Sequence, residues 1–486
     1  MRSPHRLGRI ALVLVVASVA LFVVTALLGP SAAQPELPGA GPARHFDVGP
    51  PVLLVTGLMW SAVLAGAAAV AVGWLALVRG WAPDPLRLRG WGFVGAGVMA
   101  AVPPLGSTDL LSYAAYGRMA VLGLNPYTTT VQDLLARGDP VGLAYQGAWD
   151  DVPSVYGPLA IASHAFSSWL AGDSVRMFAL WTQVLELGVF VAVALLLDRV
   201  VSDDLAARRR VAVLWTLNPL LLYAVVNSGH LDGLAAGLGV AALLVVRRSP
   251  VAAGALVALS VCTKVSFALY VVALVWALRS DRGRLLRFLA AGAVTGAVLI
   301  TPFLPELVDP LRDASQYVAR QSPWRITLPL LRTVLPDEAV PRVLSVAVWV
   351  LVAAVVWRLS RVLPRRATAN GSSDDALWAA TLLSVAWLLS STYVYAWYDV
   401  MAWAPLVLLP ASGVDLVLLA RMSTVAFAYS PGLDLDPPGP LGSVTTTLNG
   451  TLAPLVGLAL LVLVLFFGDR LRLRRPAGDP HPASSR

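Results

Sequence analysis

Apolar runs long enough to cross a bilayer recur from one end of the chain to the other, and arginines cluster between them. Ile10–Leu28, Val52–Val78 and Trp91–Leu105 open the series. Further runs fall at approximately 175–197, 211–226, 231–246, 251–278, 287–304, 341–357, 376–394, 400–412, 414–429 and 452–468. Hydrocarbon offers no partner to a backbone N–H or C=O, so segments of this kind cross a membrane as helices. Run lengths and spacing predict an all-α, polytopic transmembrane protein of about 12–14 spans.

Composition narrows the function classes. Hydrophobic residues make up 57% of the chain and charged residues 13%, where soluble domains carry roughly 25% charged residues. The single cysteine, Cys262, excludes an internal disulfide framework and a Cys-based zinc site. Five histidines without an H-x-x-x-H pair argue against a zincin. The net charge of +8 is explained by Arg79–Arg89, Arg208–Arg210, Arg247–Arg248, Arg279–Arg287, Arg358–Arg366 and Arg470–Arg475, each beside an apolar run. That is the positive-inside pattern, and it leaves no need for a nucleic-acid partner.

The arginines also orient the chain. Arg2, His5, Arg6 and Arg9 precede the first run, which predicts a cytoplasmic N-terminus. Ser31-Ala32-Ala33 resembles a signal-peptidase site, but the many spans that come after it favour an uncleaved anchor. On this reading 106–174 and 305–340 are loops outside the cytoplasm, and both termini lie inside. Residues 1–470 form one multispan domain in the cell membrane, and 471–486 a disordered cytoplasmic tail. The 251–278 run has arginines at both ends, so it is expected to be two short helices meeting near Lys264.

The polar residues then gather on one side. Asp109, Tyr113 and Tyr116, spaced i, i+4 and i+7, share a helix face where water meets hydrocarbon. Acids at membrane depth are expensive and usually functional, although Asp109 could simply cap its helix. Asn227, His230 and Asp232 open another apolar helix, more titratable groups than a cap requires. Lys264 is the only lysine and suits a phosphate, unless it merely snorkels. Tyr393, Tyr395, Trp397, Tyr398 and Trp403 could form an interfacial aromatic belt, which does not explain Asp399 among them. Asn218-Pro219 reads as a kink, and Asn125-Pro126-Tyr127 as a turn with an aromatic tip.

Thr108-Asp109-x-x-Ser112-Tyr113, Gly123–Tyr127, Tyr156-Gly157-Pro158, Asn218-Pro219 with His230-x-Asp232, and Tyr393–Pro405 together resemble the GT-C glycosyltransferases. Among these the chain is most similar to the actinobacterial polyprenol-phosphomannose-dependent α-1,6-mannosyltransferases that extend lipomannan. The resemblance spans roughly residues 90–410. It implies transfer of mannose from polyprenyl phosphate mannose, lying in membrane lipid, to an α-1,6-mannan or lipoglycan acceptor on the extracytoplasmic face. Asp109 stands at the position of the family's catalytic base; a matching second acid is absent nearby. Phosphate would be met by Lys264 with Arg320 or Arg325. Tyr113, Tyr116, Asn125, Tyr127, Tyr156, Asn227, His230, Asp232, Trp324, Tyr393, Trp397 and Tyr398 would hold sugars. No cofactor is expected, and dependence on a divalent metal stays open. An arabinofuranosyltransferase, or another polyprenyl-phosphate-sugar enzyme, would leave the same pattern. A lipid-linked-sugar flippase would instead distribute its charges through the midplane, in broken helices of two matching halves.

The topology is directly testable. A cysteine placed at Gly138 should react with an impermeant thiol reagent in intact cells, and one at Gly371 should not. Labelling at Gly371 from outside would invert the orientation.

Overall fold

The computed structural model describes residues 3–366, 371–393 and 395–473, so most of the 471–486 tail lies outside the described residues. The chain is 71% helical and, among the described residues, contains no strand. Among the described residues six helices are long and apolar enough to cross a membrane: Pro4–Leu27, Val52–Val78, Val175–Val200, Arg282–Phe303, Val340–Ser360 and Pro440–Leu471. The chain is a polytopic helical membrane protein. Other apolar runs fold as shorter or broken helices. The 400–412 run, for instance, yields only the helix Val400–Leu406, which contains Pro405 and ends short of Pro410.

Two expected irregularities are present. Leu205–Thr216 and Pro219–Asn227 meet at 41° about Asn218-Pro219. Pro219 contributes no N–H, and the Asn218 side chain takes over locally, accepting from Leu220 N and donating to the Leu214 carbonyl. The 251–278 run breaks into Pro250–Val261 and Ala268–Leu278 around Lys264, as its flanking arginines require.

Several buried or part-buried charges are paired, which offsets the cost of taking them out of water. Asp415 accepts from both terminal nitrogens of Arg210, from Trp74 Nε1 and from the Ser412 N–H. Asp198 holds Arg89 at 2.6 Å and Arg208 at 2.9 Å. Arg421 pairs with Asp399 and donates to the Leu388 carbonyl. These clamps tie distant helices together, while valines, leucines and phenylalanines such as Val298 and Phe466 point outward.

Two backbone junctions set the positions of the polar segments. Asn227 is fully buried; its amide donates to the carbonyls of Met99 and Pro103 and accepts from Leu105 N, fixing the segment that leads to Asp109. Tyr156-Gly157-Pro158 docks on the break before Lys264, with Leu159 N donating to the Cys262 carbonyl at 2.9 Å. A Cβ on Gly157 would lie 2.1 Å from that oxygen, and Pro158 starts the Pro158–Ala171 helix without needing its missing N–H. Gly157→Ala should therefore lower the thermal midpoint of the detergent-solubilised protein, on the scale of about 1–3 kcal/mol for overpacking. Gly97→Ala, where the added methyl meets open space, is the control. Equal midpoints for the two variants would show that the junction tolerates the change.

Candidate active site

The Asp109–Val121 helix brings Asp109 to the polar end of a cavity of about 410 Å³. Thr108, not Asp109, holds the helix-capping position, and the Asp109 N–H donates to Ser107 Oγ. The carboxylate is therefore free of the capping role. Its side chain keeps 22% exposure and lies 3.8 Å from His230 Nδ1. Asp109 stands outside the spanning segments. Burial raises its carboxyl to about 6; Lys264 opposes that rise and Asp232 adds to it.

The i, i+4, i+7 spacing divides into two jobs. Tyr113 is buried, with its hydroxyl 3.1 Å from His230 Nδ1 and its ring stacked on His164 at 4.6 Å. Tyr116 lines the cavity and donates to the Val152 carbonyl. Tyr156 also lines it and donates to the Tyr113 hydroxyl at 3.4 Å. Behind this layer the His230 ring stacks on Trp397 at 3.9 Å.

Lys264 completes the polar end. Its ammonium donates to both Asp232 oxygens, at 2.7 and 2.8 Å, and sits 3.4 Å above the Tyr398 ring centroid. An ammonium has three donors, so one remains for the cavity that Lys264 lines. Glu186, from the Val175–Val200 helix, is buried beside Gly233, where an added Cβ would come within 2.5 Å of its carboxylate.

The structure thus brings Asp109, Tyr116, Tyr156, Lys264, Tyr393 and Tyr398 to one cavity. Tyr113, His230, Asp232 and Trp397 form the buried layer behind it. Asn125, Tyr127 and Asn227 serve the scaffold. Asn125 accepts from Tyr127 N, the Tyr127 hydroxyl donates to the Tyr156 carbonyl, and Asn227 has its amide committed to backbone. Trp324 donates to the Ser390 carbonyl, Arg320 pairs with Asp436 at 2.7 Å, and Arg325 is exposed on the Trp324–Val334 helix. None of these three lines the cavity. The 305–340 segment does reach it, but through Leu311, Ala314 and Tyr317 rather than its arginines.

Sequence reasoning missed Trp149 and Tyr317 at the cavity, and the face of Val340–Ser360 that presents Leu344, Val348 and Trp349; Tyr395, read only as part of a possible aromatic belt, lines the cavity as well. The aromatics carried a signal, being large rings in otherwise polar loops. The spanning helix carried none, because its cavity face and lipid face have the same composition. Among the described residues no group of three or more His, Cys, Asp or Glu side chains is arranged to hold a metal.

Comparison with known proteins identifies the class. The profile of a family described as "Alpha-(1->6)-mannopyranosyltransferase, N-terminal domain" matches residues 11–280, more than half of the chain. The chain belongs to that family. The matched region contains Asp109, Tyr156, His230, Asp232 and Lys264, whereas Tyr393 and Tyr398 lie beyond it. A probable alpha-(1->6)-mannopyranosyltransferase of Mycolicibacterium smegmatis is 31% identical over 142 residues, 28% of this chain and 24% of its own length. The alpha-(1->6)-mannopyranosyltransferase A of Corynebacterium glutamicum is 26% identical over 176 residues, 36% of this chain and 35% of its own length. Alpha-(1->6)-mannopyranosyltransferase B of the same organism is 25% identical over 134 residues, 28% of this chain and 22% of its own length. These matches span about a quarter to a third of the curated relatives' lengths.

The Lys264–Asp232 pair makes a separable prediction. Lys264→Met strands a buried carboxylate, a loss of about 3–5 kcal/mol, and should cut the yield of monodisperse protein from detergent. Lys264→Met combined with Asp232→Leu should restore it. A double variant that yields no more than the single one would show that the pair does not hold the fold.

Proposed function

We propose that this chain moves mannose from polyprenyl phosphate mannose to an α-1,6-linked mannan or lipoglycan acceptor, with inversion at C1 and Asp109 as the base. One observation carries the reading. A single cavity joins a carboxylate and an ammonium, Asp109 and Lys264, to the apolar face of a membrane-spanning helix, Leu344, Val348 and Trp349. A substrate with a sugar phosphate head and an isoprenoid tail needs that combination, and a soluble nucleotide sugar does not.

The chemistry arises from the groups present. The acceptor hydroxyl gives its proton to Asp109 as its oxygen attacks C1 of the mannose. The C1–phosphate bond breaks, and the phosphate leaves with the electron pair, its charge met by the remaining Lys264 donor. Asp232 holds Lys264 in place and keeps the local charge from becoming excessively positive. Tyr113 and His230 support Asp109 from behind and keep its surroundings dry. A β-linked donor opened with inversion gives an α-linked product. The arginine distribution supports an extracytoplasmic site, with the chain working as one multispan domain in the cell membrane.

The test uses membranes supplied with labelled polyprenyl phosphate mannose and short α-1,6-mannosides, with linkage analysis of the product. Asp109→Asn should leave protein levels unchanged and lower transfer by about two or more orders of magnitude, the scale of lost acid–base assistance. The wild-type rate should fall as pH drops below about 6, because only the ionised Asp109 accepts a proton. The decline should approach tenfold per pH unit well below that value. Undiminished transfer by Asp109→Asn, or a rate flat down to pH 5, would remove Asp109 from the reaction.

A further inference from the structure

From the aromatic wall of the cavity we infer a docking platform, Trp149 with Tyr317, for a pyranose residue of an extended acceptor glycan beyond the one that reacts. Neither residue belongs to the base, the cation or the apolar groove. The inference rests on the transferase reading of the cavity and names where its second substrate is held.

Four rings form a connected series along the cavity. Trp149 and Tyr317 have centroids 5.2 Å apart, Tyr317 and Tyr393 6.2 Å, and Tyr393 and Tyr395 5.2 Å. All four line the cavity that contains Asp109. The series continues inward through Trp397, stacked on Tyr395 at 4.8 Å, to His230, stacked at 3.9 Å and next to Asp109. The exposed wall therefore runs from Tyr395, which rests on the buried Trp397–His230 layer beside Asp109, out to Tyr317, which is 38% exposed. Four contacting rings cover more of the wall than a single monosaccharide would.

The outer pair is held at a set reach from the base. The Trp149 N–H donates to the Tyr145 hydroxyl at 3.2 Å, and that hydroxyl is 3.0 Å from Ser112 Oγ, one turn from Asp109 on the same helix. Trp149 and Tyr317 come from segments far apart in sequence, so their meeting is a product of the fold alone. Gln316 and Thr392, beside Tyr317 and Tyr393, also line the cavity and offer amide and hydroxyl groups at the edge of the rings. Flat apolar faces with polar groups at their rims suit pyranose rings, which present C–H faces and hydroxyl edges. An isoprenoid tail has no use for those rim groups, and the Val340–Ser360 face supplies a surface that suits it.

The experiment uses the full chain in detergent: wild type, Trp149→Ala, Tyr317→Ala and Trp149→Phe. With polyprenyl phosphate mannose saturating, the alanine variants should raise KM for α-1,6-mannotetraose about tenfold, a loss of about 1.4 kcal/mol. KM for the mannobiose should change little, kcat at saturating tetraose and donor KM should be unchanged, and Trp149→Phe should recover most of the affinity. A raised donor KM would assign the rings to the lipid tail and overturn the inference, as would equal effects on both acceptors. Saturation-transfer NMR with mannotetraose and no donor separates the two readings. Binding by wild type but not by Trp149→Ala sustains the platform even if no mannose is transferred. Normal transfer kinetics in both alanine variants removes the platform and leaves the transferase reading intact. Absence of tetraose binding by the wild type overturns the platform outright.

Discussion

The ion pair between Lys264 and Asp232 is the interaction around which the site is organised. The ammonium gives two donors to one carboxylate and rests over the Tyr398 ring. An isolated charge at this depth would cost many kcal/mol, so neither residue is tolerable without the other. The pair forms where the chain breaks between Pro250–Val261 and Ala268–Leu278. The break in turn exposes the Cys262 carbonyl, and Leu159 N and the Gly157 junction close over it. One electrostatic requirement thus links three sequence regions that have no local relation.

The layer behind the cavity is built from polar rings rather than aliphatic groups. Tyr113, His164, His230 and Trp397 stack or hydrogen-bond to one another, with centroid distances of 4.6 Å for Tyr113–His164 and 3.9 Å for His230–Trp397. Rings of this kind fill the space behind the carboxylate while hydrogen-bonding among themselves, as the Tyr113 hydroxyl does with His230 and Tyr156. Burial of Asp109 by this layer lifts its carboxyl to about 6, closer to the range where a general base works well. Packing and chemistry are therefore served by the same side chains.

Buried pairs away from the cavity show the same economy. Arg210 with Asp415, Arg89 and Arg208 with Asp198, and Arg421 with Asp399 each join helices from separate parts of the chain. Hydrophobic burial alone cannot choose among apolar helices in lipid, since the lipid is as apolar as the helix. Paired charges supply the missing specificity. They fix how the helices that carry the cavity residues pack against one another.

The sequence by itself determined the class: recurrent apolar runs demand helices, the arginines between them give them order, and the lone lysine marks a break in an over-long run. It also singled out Asp109, Tyr116, Tyr156, Lys264, Tyr393 and Tyr398, which the fold brings to one cavity, because polar residues next to apolar runs are conspicuous. Asn218-Pro219 was legible as a kink for the equally local reason that proline has no N–H. Tertiary structure decided the rest. Asn227 looked like a sugar ligand and is instead committed to the Met99 and Pro103 carbonyls, a partnership made across more than a hundred residues. Arg320, which the sequence offered for a phosphate, pairs with Asp436 away from the cavity, and Trp149 and Tyr317 were brought into tilted ring contact from separate segments. Local pattern reports what each residue requires; only the closed fold, where every buried donor must find an acceptor, settles which partner meets that requirement.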